Sequence, residues 1–567
     1  MSALLALALA SANLTGTVDF GPDGAGGYPE IDVTGVTAPT RIRVVYATHP
    51  DGLGEKGDFW HETRATYLGP EVWLPILPAN TDRFDVFEVV SNGTYRAPLA
   101  QGLVRYAKWT AETGACPPSE AGDRRGARVA ALRLVNDGIH SEEEVVGSFA
   151  CSDERLNGIW KASVRTCQLA AIPGRTHPLR VCGVHTNALL APMRPYLSDG
   201  AKRDRLVWSG DLWWAQRNMY VAFSPRSPYM PGSIRMLADS QLPCGYIQAA
   251  PFPEDHAPFG DGAWGHFGSD EFAAWFVPVL HDHVLHTGDL DLAKEQLGAV
   301  RRLLTYLAGQ IDGEGLFQQR RETCKGAVGL TFGARSLHHR AYMQILLWKA
   351  WRDAAELASW LGEENSCREW AARADFLAAV ARKFFWDEKK GGFVMSLEQR
   401  DRCRESNQLA TSFRFVTAQE AQTVFASHAR HRHGKFQALS VRGAFEYGEP
   451  EKALAWLFEH NWHRVLEPEW KGLRTTQECM NLIRKGWGDE AHPDTAMAGI
   501  LSNYVLGVVP VKPGFAEFRF TPPDCSLAFA SGTVPTPRGN IVARWERGSD
   551  GKIVRHLKCP AGTRCVP

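Results

Sequence analysis

The sequence predicts a multidomain protein in which a β-sandwich is followed by a long helical domain and then by a small β-domain. The chain has 567 residues, which is too long for a single hydrophobic core. The spacing of apolar residues changes from a period of two to a period of 3.6 near Cys151 and returns to strand-like runs after Leu506. We therefore expect domains over residues 1–145, 146–508 and 509–567.

The N-terminal part has the pattern of short strands joined by turns. Apolar runs at residues 42–46 (IRVVY) and 84–90 (FDVFEVV) are separated by clusters of Gly, Pro, Asn and Asp. Strands of this kind must bury one face, and two sheets packed together satisfy that need. The pattern therefore predicts the β-sandwich.

The middle of the chain carries four apolar stripes at helical spacing. They are Leu297, Val300, Leu304 and Leu307; Trp370, Ala374, Leu377, Ala381 and Phe384; Leu337, Ala341, Ile345 and Trp348; and Phe272, Phe276 and Val279. Short connections rich in Gly and Asp, such as residues 286–291 (HTGDLD), join the helices. This pattern predicts paired hairpins packed into one toroid or solenoid. The sequence has no fixed-period repeat, which argues against an array of helical repeats.

The C-terminal part returns to strands and turns, with strand-like runs at residues 518–520 (FRF) and 541–545 (IVARW) around a turn-rich segment at 532–539 (GTVPTPRG). A piece of this size rarely builds a sufficient core alone. We expect a small β-domain that is docked onto the helices.

The composition of the chain argues against nucleic acid and membranes as partners. The chain is 44% apolar and 22% charged, and its 63 basic residues balance its 63 acidic ones, so no net charge attracts it to nucleic acid or to an acidic membrane. No run of 18 apolar residues predicts a transmembrane helix. Residues 1–12 imitate the apolar part of a signal peptide but lack a basic segment before it. We expect a cytoplasmic location, with a periplasmic or secreted one as the alternative.

The sequence predicts neither a cofactor nor a metal ion. The twelve cysteines are scattered without a CxxC pair or metal-ligand spacing. His281, His283 and His286 stand at i, i+2 and i+5, which do not share one helical face as the ligands of a zinc protease do. Nucleotide-binding and serine-hydrolase motifs do not occur in a fitting context.

The most informative segment is the loop at residues 199–211 (DGAKRDRLVWSGD), which is followed directly by Leu212, Trp213 and Trp214. Carboxylic acids can move protons, and flat aromatic faces can stack against the apolar face of a pyranose ring. The structural alternative is a salt-bridged surface loop before a buried, tryptophan-rich helix. These residues alone leave both interpretations open.

This loop resembles the catalytic loop of the α-L-rhamnosidases of glycoside hydrolase family 78, which carries Asp, then Arg with an acidic residue, then Trp-x-Gly-Asp at this spacing. The resemblance extends from about residue 17 to 548. It includes residues 149–160 (FACSDERLNGIW), 287–292 (TGDLDL), 353–358 (DAAELA), 385–388 (FWDE), 474–478 (RTTQE), 506–515 (LGVVPVKPGF) and 535–539 (PTPRG). The resemblance implies that the helical domain is an (α/α)6 barrel, which is a toroid of six helical hairpins.

The resemblance also implies an inverting mechanism with Asp204 as the general acid and Glu478 as the general base. Inversion needs two carboxyl groups roughly 6.5–9.5 Å apart, so that a water molecule fits between one of them and the sugar. Asp204 departs from the usual Glu of the family and is shorter by one methylene. The sugar-binding residues that the resemblance implies are Asp199, Arg203, Asp211 and, from the loosely similar segment 490–494 (EAHPD), His492.

Three aromatic residues and one acid complete the predicted site. Trp264 lies in a glycine-rich loop before a helix and is a candidate stacking wall for a sugar. Asp270 is either an acid of the first helical turn or a substrate ligand. Trp213 and Trp214 are adjacent on a helix, so we expect one to be core and the other to face the sugar.

These observations predict a metal-independent, inverting exo-glycosidase that removes terminal α-L-rhamnosyl residues from small glycosides or oligosaccharides. One alternative is a lyase acting on a rhamnose- or uronate-containing glycan, in which Arg203 or Arg205 would neutralise a uronate. A second alternative is a barrel that binds glycans without cleaving them, which the Asp at position 204 favours.

Overall fold

The fold is described from a computed structural model of the chain. The model describes residues 15–58, 83–112, 126–174, 179–180, 189–190, 194–202, 205–251, 269–318, 340–427, 434–480 and 490–567.

The N-terminal residues form two antiparallel sheets. The strands are β1 (Thr15–Asp19), β2 (Ala25–Thr34), β3 (Thr40–Ala47), β4 (Phe84–Val89), β5 (Gly93–Arg96), β6 (Gln101–Val104), β7 (Tyr106–Glu112) and β8 (Arg128–Val135). One sheet has the order β1-β7-β3-β4, and in the other β2 pairs with β5, β6 and β8. Ile42 and Val44 of β3 and Ile31 and Val33 of β2 are buried in one shared core. The predicted β-sandwich is confirmed.

Helices dominate the middle of the chain after strand β9 (Ser148–Cys151). They are α1 (Glu154–Ala170), α2 (Ser209–Ala222), α3 (Tyr229–Asp239), α4 (Asp270–Thr287), α5 (Leu290–Gly309), α6 (Arg340–Trp360), α7 (Glu364–Phe385), α8 (Arg404–Ser412), α9 (Ala418–Ala426), α10 (Gly434–Glu446), α11 (Pro450–Glu459) and α12 (Ala498–Ile500). Short strands between them are β10 (Ala171–Ile172), β11 (Leu179–Arg180), β12 (Leu189–Leu190), β13 (Tyr196–Leu197), β14 (Trp386–Asp387) and β15 (Gly392–Phe393).

The helices form an inner and an outer layer. Helices α2, α4, α6, α8 and α10 are buried around most of their circumference, whereas α5, α7, α9 and α11 bury only one stripe. The inner helices pack on one another in chain order, and residues 493–500 close the ring between α10 and α2. The predicted helical toroid is confirmed.

Local signals in the sequence set the ends of the helices. Ser269 caps α4 by accepting a hydrogen bond from the amide of Phe272, at 3.3 Å. Gly288 ends α4 in the left-handed conformation, with φ of 70°, and Asp289 caps α5 through the amide of Leu292 at 2.9 Å. Because each outer helix returns the chain to the end where the next inner helix begins, the first turns of the inner helices meet at one end of the barrel.

The C-terminal strands form two small sheets. The strands are β16 (Val508–Pro510), β17 (Glu517–Phe520), β18 (Phe529–Thr536), β19 (Gly539–Arg547), β20 (Ile553–Lys558) and β21 (Arg564–Val566). The sheet orders are β20-β19-β18-β9 and β16-β17-β21, so a strand from before α1 completes the C-terminal sheet. Trp545 is fully buried and donates a hydrogen bond to the carbonyl of Val505 at 2.9 Å, which docks this sheet onto the helical layer. The domain boundaries at 145/146 and 508/509 stay predictions.

Within the described residues, no helix is both long enough and apolar enough to span a membrane.

Candidate active site

The loop at 199–211 is fixed on both sides of its central residues. The amide of Asp199 donates to the carbonyl of Leu206 at 2.9 Å, and the amide of Leu206 donates to Asp199 Oδ1 at 3.0 Å. Arg205 is buried in the left-handed conformation, with φ of 65°, and its carbonyl accepts a hydrogen bond from the Tyr196 hydroxyl at 3.0 Å. The predicted Arg203, Asp204 and Trp264 lie outside the described residues.

Asp211 stands in the first turn of α2, where the partial positive charge of a helix N-terminus favours a carboxylate. Its Oδ1 lies 3.0 Å from the Nζ of Lys435, which is in the first turn of α10. Burial lowers the pKa of Lys435, but the charges of Asp211, Asp494 and Glu271 outweigh burial and raise this pKa above its ordinary value. This ion pair joins the first turns of α2 and α10 across the end of the barrel.

Glu478 lies in a turn that directly follows Gln477, and the residues before it are held against residues 490–492. Gln477 forms a β-bridge with Glu490, and the hydroxyl of Thr476 donates to the carbonyl of His492 at 2.8 Å. The carbonyl of Glu478 accepts a hydrogen bond from the amide of Gly434 at 2.8 Å, which places the half-buried Glu478 at the N-terminus of α10.

The segment at 490–494 also contacts the loop at 199–211. The amide of Ala201 donates to the carbonyl of Ala491 at 3.2 Å. His492 is buried, and its amide donates to the carbonyl of Thr476 at 3.0 Å. The structure thus brings the predicted Asp199, Asp211, Glu478 and His492 to one end of the barrel.

Asp494 is a further acid of this site, and the sequence reasoning did not assign it a role. It lies in the 3-10 turn Pro493–Thr495, which packs between α2 and α10, and is only 3% exposed. Burial raises the pKa of Asp494 well above its ordinary value, the charges of Asp211, Glu478 and Asp199 add to this, and Lys435 opposes it. Asp494 belongs to the segment 490–494, from which the sequence analysis selected His492 alone.

The two adjacent tryptophans differ in their surroundings. Trp213 is fully buried, with its ring 4.5 Å from that of Trp214, 4.9 Å from Trp275 and 5.3 Å from Phe413. Trp213 therefore packs in the helical core, as was expected of one of the two tryptophans, and its contact with a sugar stays a prediction. Trp214 is also mostly buried, at 8% exposed, and its contact with a sugar stays a prediction.

Asp270 occupies the first turn of α4 and has a partner within the protein. Its Oδ1 accepts a hydrogen bond from the Tyr306 hydroxyl at 2.7 Å, and Ser269 rather than Asp270 is the N-cap. Burial raises the pKa of Asp270 to about 6, against the opposing effect of the Tyr306 hydrogen bond. A sugar-binding role for Asp270 stays a prediction.

The site as a whole offers acid groups and one ammonium group at the end of the barrel. Carboxyl groups in such a setting can accept hydrogen bonds from sugar hydroxyls and can exchange protons with a glycosidic oxygen or a water molecule. Among the described residues, no group of three or more His, Cys, Asp or Glu side chains is arranged to hold a metal ion.

Comparison with protein families gives two matches in chain order. Residues 181–440 match the bacterial alpha-L-rhamnosidase six-hairpin glycosidase domain, and residues 507–566 match the bacterial alpha-L-rhamnosidase C-terminal domain. No curated protein matches the chain in sequence.

The solved structures with a similar fold include three rhamnosidases. The family 78 rhamnosidase of Bacillus sp. GL1 matches 97% of this chain with a TM-score of 0.73 at 18% identity. The alpha-L-rhamnosidase of Streptomyces avermitilis, complexed with L-rhamnose, matches 99% of this chain with a TM-score of 0.64 at 15% identity. The rhamnosidase of Klebsiella oxytoca, with rhamnose bound, matches 88% of this chain with a TM-score of 0.59 at 17% identity. The chain spans 52% of the Bacillus protein, 49% of the Streptomyces protein and 88% of the Klebsiella protein.

The fold is that of the six-hairpin glycosidases, and residues 181–440 match the family model of their helical domain. Within that class the chain resembles the α-L-rhamnosidases of glycoside hydrolase family 78.

We predict that Asp270→Asn stabilises the protein at neutral pH. The folded-state pKa of about 6 lies above the ordinary aspartate pKa of 3.8, so ionisation of Asp270 opposes folding. This cost is small below pH 4, grows as the pH rises and is complete above pH 6. The Asn side chain keeps an acceptor for Tyr306, and we expect a gain of about 2 kcal/mol at pH 7.5 that shrinks towards pH 4.5. Urea unfolding at both pH values measures this. A large loss of sugar affinity in the variant would instead support the substrate role.

We predict opposite outcomes for the same substitution at two acids of the site. Asp494→Asn removes an acid whose folded-state pKa lies well above its ordinary value, so the cost of burying this group at pH 7 disappears and the free energy of unfolding should rise, as for Asp270→Asn. Asp211→Asn leaves the half-buried Lys435 without its ion-pair partner and should cost about 2 kcal/mol. Urea unfolding of both variants at pH 7 measures the difference. Equal losses would mean that Asp494 is ionised in the folded protein.

Proposed function

We propose that the protein is an inverting exo-glycosidase that removes terminal α-L-rhamnosyl residues from glycosides or oligosaccharides. Asp204 protonates the glycosidic oxygen as the bond to the anomeric carbon breaks. Glu478 takes a proton from a water molecule that attacks this carbon from the opposite face. The charge that develops on the sugar ring is partly balanced by the carboxylates around it, and the released sugar has the inverted configuration.

One observation carries this proposal: the carboxyl groups of the loop at 199–211 and of the segment around Glu478 share one electrostatic environment. The charges of Asp211, Glu478 and Asp199 all act on the buried Asp494. The backbone of the loop is bonded to the segment that follows Glu478, through Ala201 and Ala491. An acid on each side of a sugar is the arrangement that inverting hydrolysis requires.

The choice of sugar rests on the family. Two of the matched structures hold rhamnose, and the matched helical domain is that of bacterial alpha-L-rhamnosidases. We therefore assign a small carbohydrate with a terminal rhamnosyl group as the substrate. Asp199, Arg203, Asp211 and His492 are the proposed ligands of its hydroxyl groups.

The roles of the two acids can be separated by the leaving group. Asp204→Asn should lower kcat/KM at least about 100-fold for an alkyl α-L-rhamnoside, since general acid catalysis contributes roughly 10²–10⁴-fold. With a 2,4-dinitrophenyl leaving group, which needs no proton, the loss should be about tenfold or less. Glu478→Gln should lower the rate for both substrates, because attack by water needs the base in either case. Steady-state kinetics on the two substrates measure this.

The control is Glu295→Gln on the outer helix α5, where Glu295 forms an exposed ion pair with Arg235 at 2.8 Å; its activity should equal that of the wild type. Proton NMR of the first product formed should show β-L-rhamnose. Release of α-L-rhamnose would refute the inverting mechanism. Binding of L-rhamnose without any hydrolysis would favour the glycan-binding barrel, and an unsaturated product absorbing in the ultraviolet would favour the lyase.

A further inference from the structure

A buried cluster of charged side chains joins the N-terminal sandwich to the loop at 199–211. Lys202, the residue before Arg203 and Asp204, has a side chain that is 1% exposed, and its Nζ lies 3.0 Å from Oδ2 of Asp58. Asp58 belongs to the connection after β3 of the sandwich and has no exposed side-chain surface. Lys202 Nζ is also 3.5 Å from Oε2 of Glu490.

Asp58 is also held in place by two other residues of the N-terminal part, Arg83 and Thr48. Arg83 Nη1 donates to Asp58 Oδ1 at 2.7 Å, and the Thr48 hydroxyl lies 2.7 Å from Asp58 Oδ2. Burial alone would raise the pKa of Asp58, but the charges of Lys202 and Arg83 outweigh burial and keep this pKa below its ordinary value. Asp58 is therefore a fixed negative charge at the edge of the sandwich.

The cluster continues into the segment beside Glu478. Oε1 of Glu490 lies 2.8 Å from the Thr48 hydroxyl, which has a single proton. When Thr48 donates that proton to Asp58, Glu490 must donate its own proton to Thr48. Burial also raises the pKa of Glu490 to about 7, in agreement with a chain of donors from Glu490 through Thr48 to Asp58. Glu490 is bridged to Gln477, the neighbour of Glu478.

An apolar contact beside the cluster joins the same parts of the chain. Leu103 of β6, Ala201 of the loop, Leu473 before Glu478 and Ala491 pack together with Leu169 of α1. A Cβ on Gly102 of β6 would lie 2.5 Å from the carbonyl of Ala201, so the strand and the loop are in direct contact.

Hydrogen bonds from the sandwich also reach the chain just before Glu478. The Tyr106 hydroxyl donates to the carbonyl of Lys471 at 2.8 Å, and the amide of Arg474 donates to the carbonyl of Pro22 at 2.7 Å. Arg105 donates to the carbonyl of Gly472. The sandwich therefore contacts both segments that carry the proposed acid and base.

We infer that the N-terminal sandwich is part of the catalytic unit and that Lys202, held by Asp58 and linked to Glu490, is a positioning residue for the loop that carries Asp204. This inference rests on the proposed function for its catalytic consequence. Displacing a catalytic group by about 1 Å can cost 10²-fold in rate. Substrate binding should change less, since Lys202 is buried away from solvent.

The test compares Lys202→Met with Lys202→Arg and with a matched control. Lys202→Met cuts the link to the loop but leaves Asp58 paired with Arg83. We expect kcat for an aryl α-L-rhamnoside to fall about 10- to 100-fold with KM changed less than about threefold. Lys202→Arg, which keeps the charge, should recover most of the rate. Lys349→Met is the control, because Lys349 pairs with the buried Asp353 on α6 and has no part in the site.

A milder variant and a second measurement guard against misfolding. Thr48→Val keeps the shape and charge of the sandwich but removes the hydroxyl between Asp58 and Glu490, and it should lower kcat about threefold or more. Hydrogen exchange followed by mass spectrometry should show faster exchange over residues 196–211 in Lys202→Met than in Lys349→Met, after both are matched for thermal stability.

The outcomes are distinguishable. Wild-type protein without rhamnosidase activity would refute the proposed function, and hydrogen exchange would still decide whether Lys202 positions the loop. Active wild type with unchanged kcat in Lys202→Met, or equal exchange in both methionine variants, would overturn the positioning role.

Discussion

Burial of the inner helices on nearly all sides is the constraint on which the rest of the fold depends. Helices α2, α4 and α6 contact their neighbours around most of their surface, so charged groups on them are paired or placed at their ends. The one-sided outer helices supply the solvent-facing layer. Because the inner helices all begin at one end, their first turns gather polar side chains there. The position of the candidate active site follows from the packing of the barrel.

Charge balance is the second requirement of the site. Carboxyl groups that converge repel one another, and burial strengthens this repulsion. The positive charge of Lys435 offsets the negative charge of Asp211 by direct contact. Burial raises the pKa of Asp494 and so favours its uncharged form, which reduces the repulsion from the other acids. A protonated acid can donate a hydrogen bond, whereas a carboxylate can only accept one. The site thus combines a carboxyl group that contacts an ammonium group with a carboxyl group whose protonated form burial favours.

Much of the architecture was predictable from the sequence, because periodicity reports burial directly. In the predicted stripe of α5, Val300, Leu304 and Leu307 are buried and Leu297 is half-buried. Leu337 lies outside the described residues. The surroundings of Trp213 and Trp214 were not predictable, because adjacent residues on a helix point in different directions and only the neighbouring helices decide which is enclosed.

The roles of Asp494 and Lys435 were not predictable for another reason. Asp494 reaches the site because residues 493–500 close the ring between α10 and α2, and ring closure joins residues that are distant in sequence. Lys435 follows a run of basic residues at 428–433 that is typical of a solvated patch. Only the start of α10 at Gly434 brings Lys435 beside Asp211. Motif spacing finds residues within one loop, but it does not find residues that the fold brings to that loop.

Lys435 and Lys202 each form an ion pair with one acid and lie near a second, buried acid of the segment 490–494. Lys435 pairs with Asp211 while Asp494 favours its protonated form, and Lys202 pairs with Asp58 while burial raises the pKa of Glu490. Glu490 and Asp494 are four residues apart on the segment that also carries His492. A protonated acid carries no negative charge, so the raised pKa values of Glu490 and Asp494 reduce the repulsion between this segment and the acids of the loop at 199–211. Each lysine contacts one carboxylate and also lowers the pKa of a second, buried acid: Lys435 acts on Asp494, and Lys202 acts on Glu490.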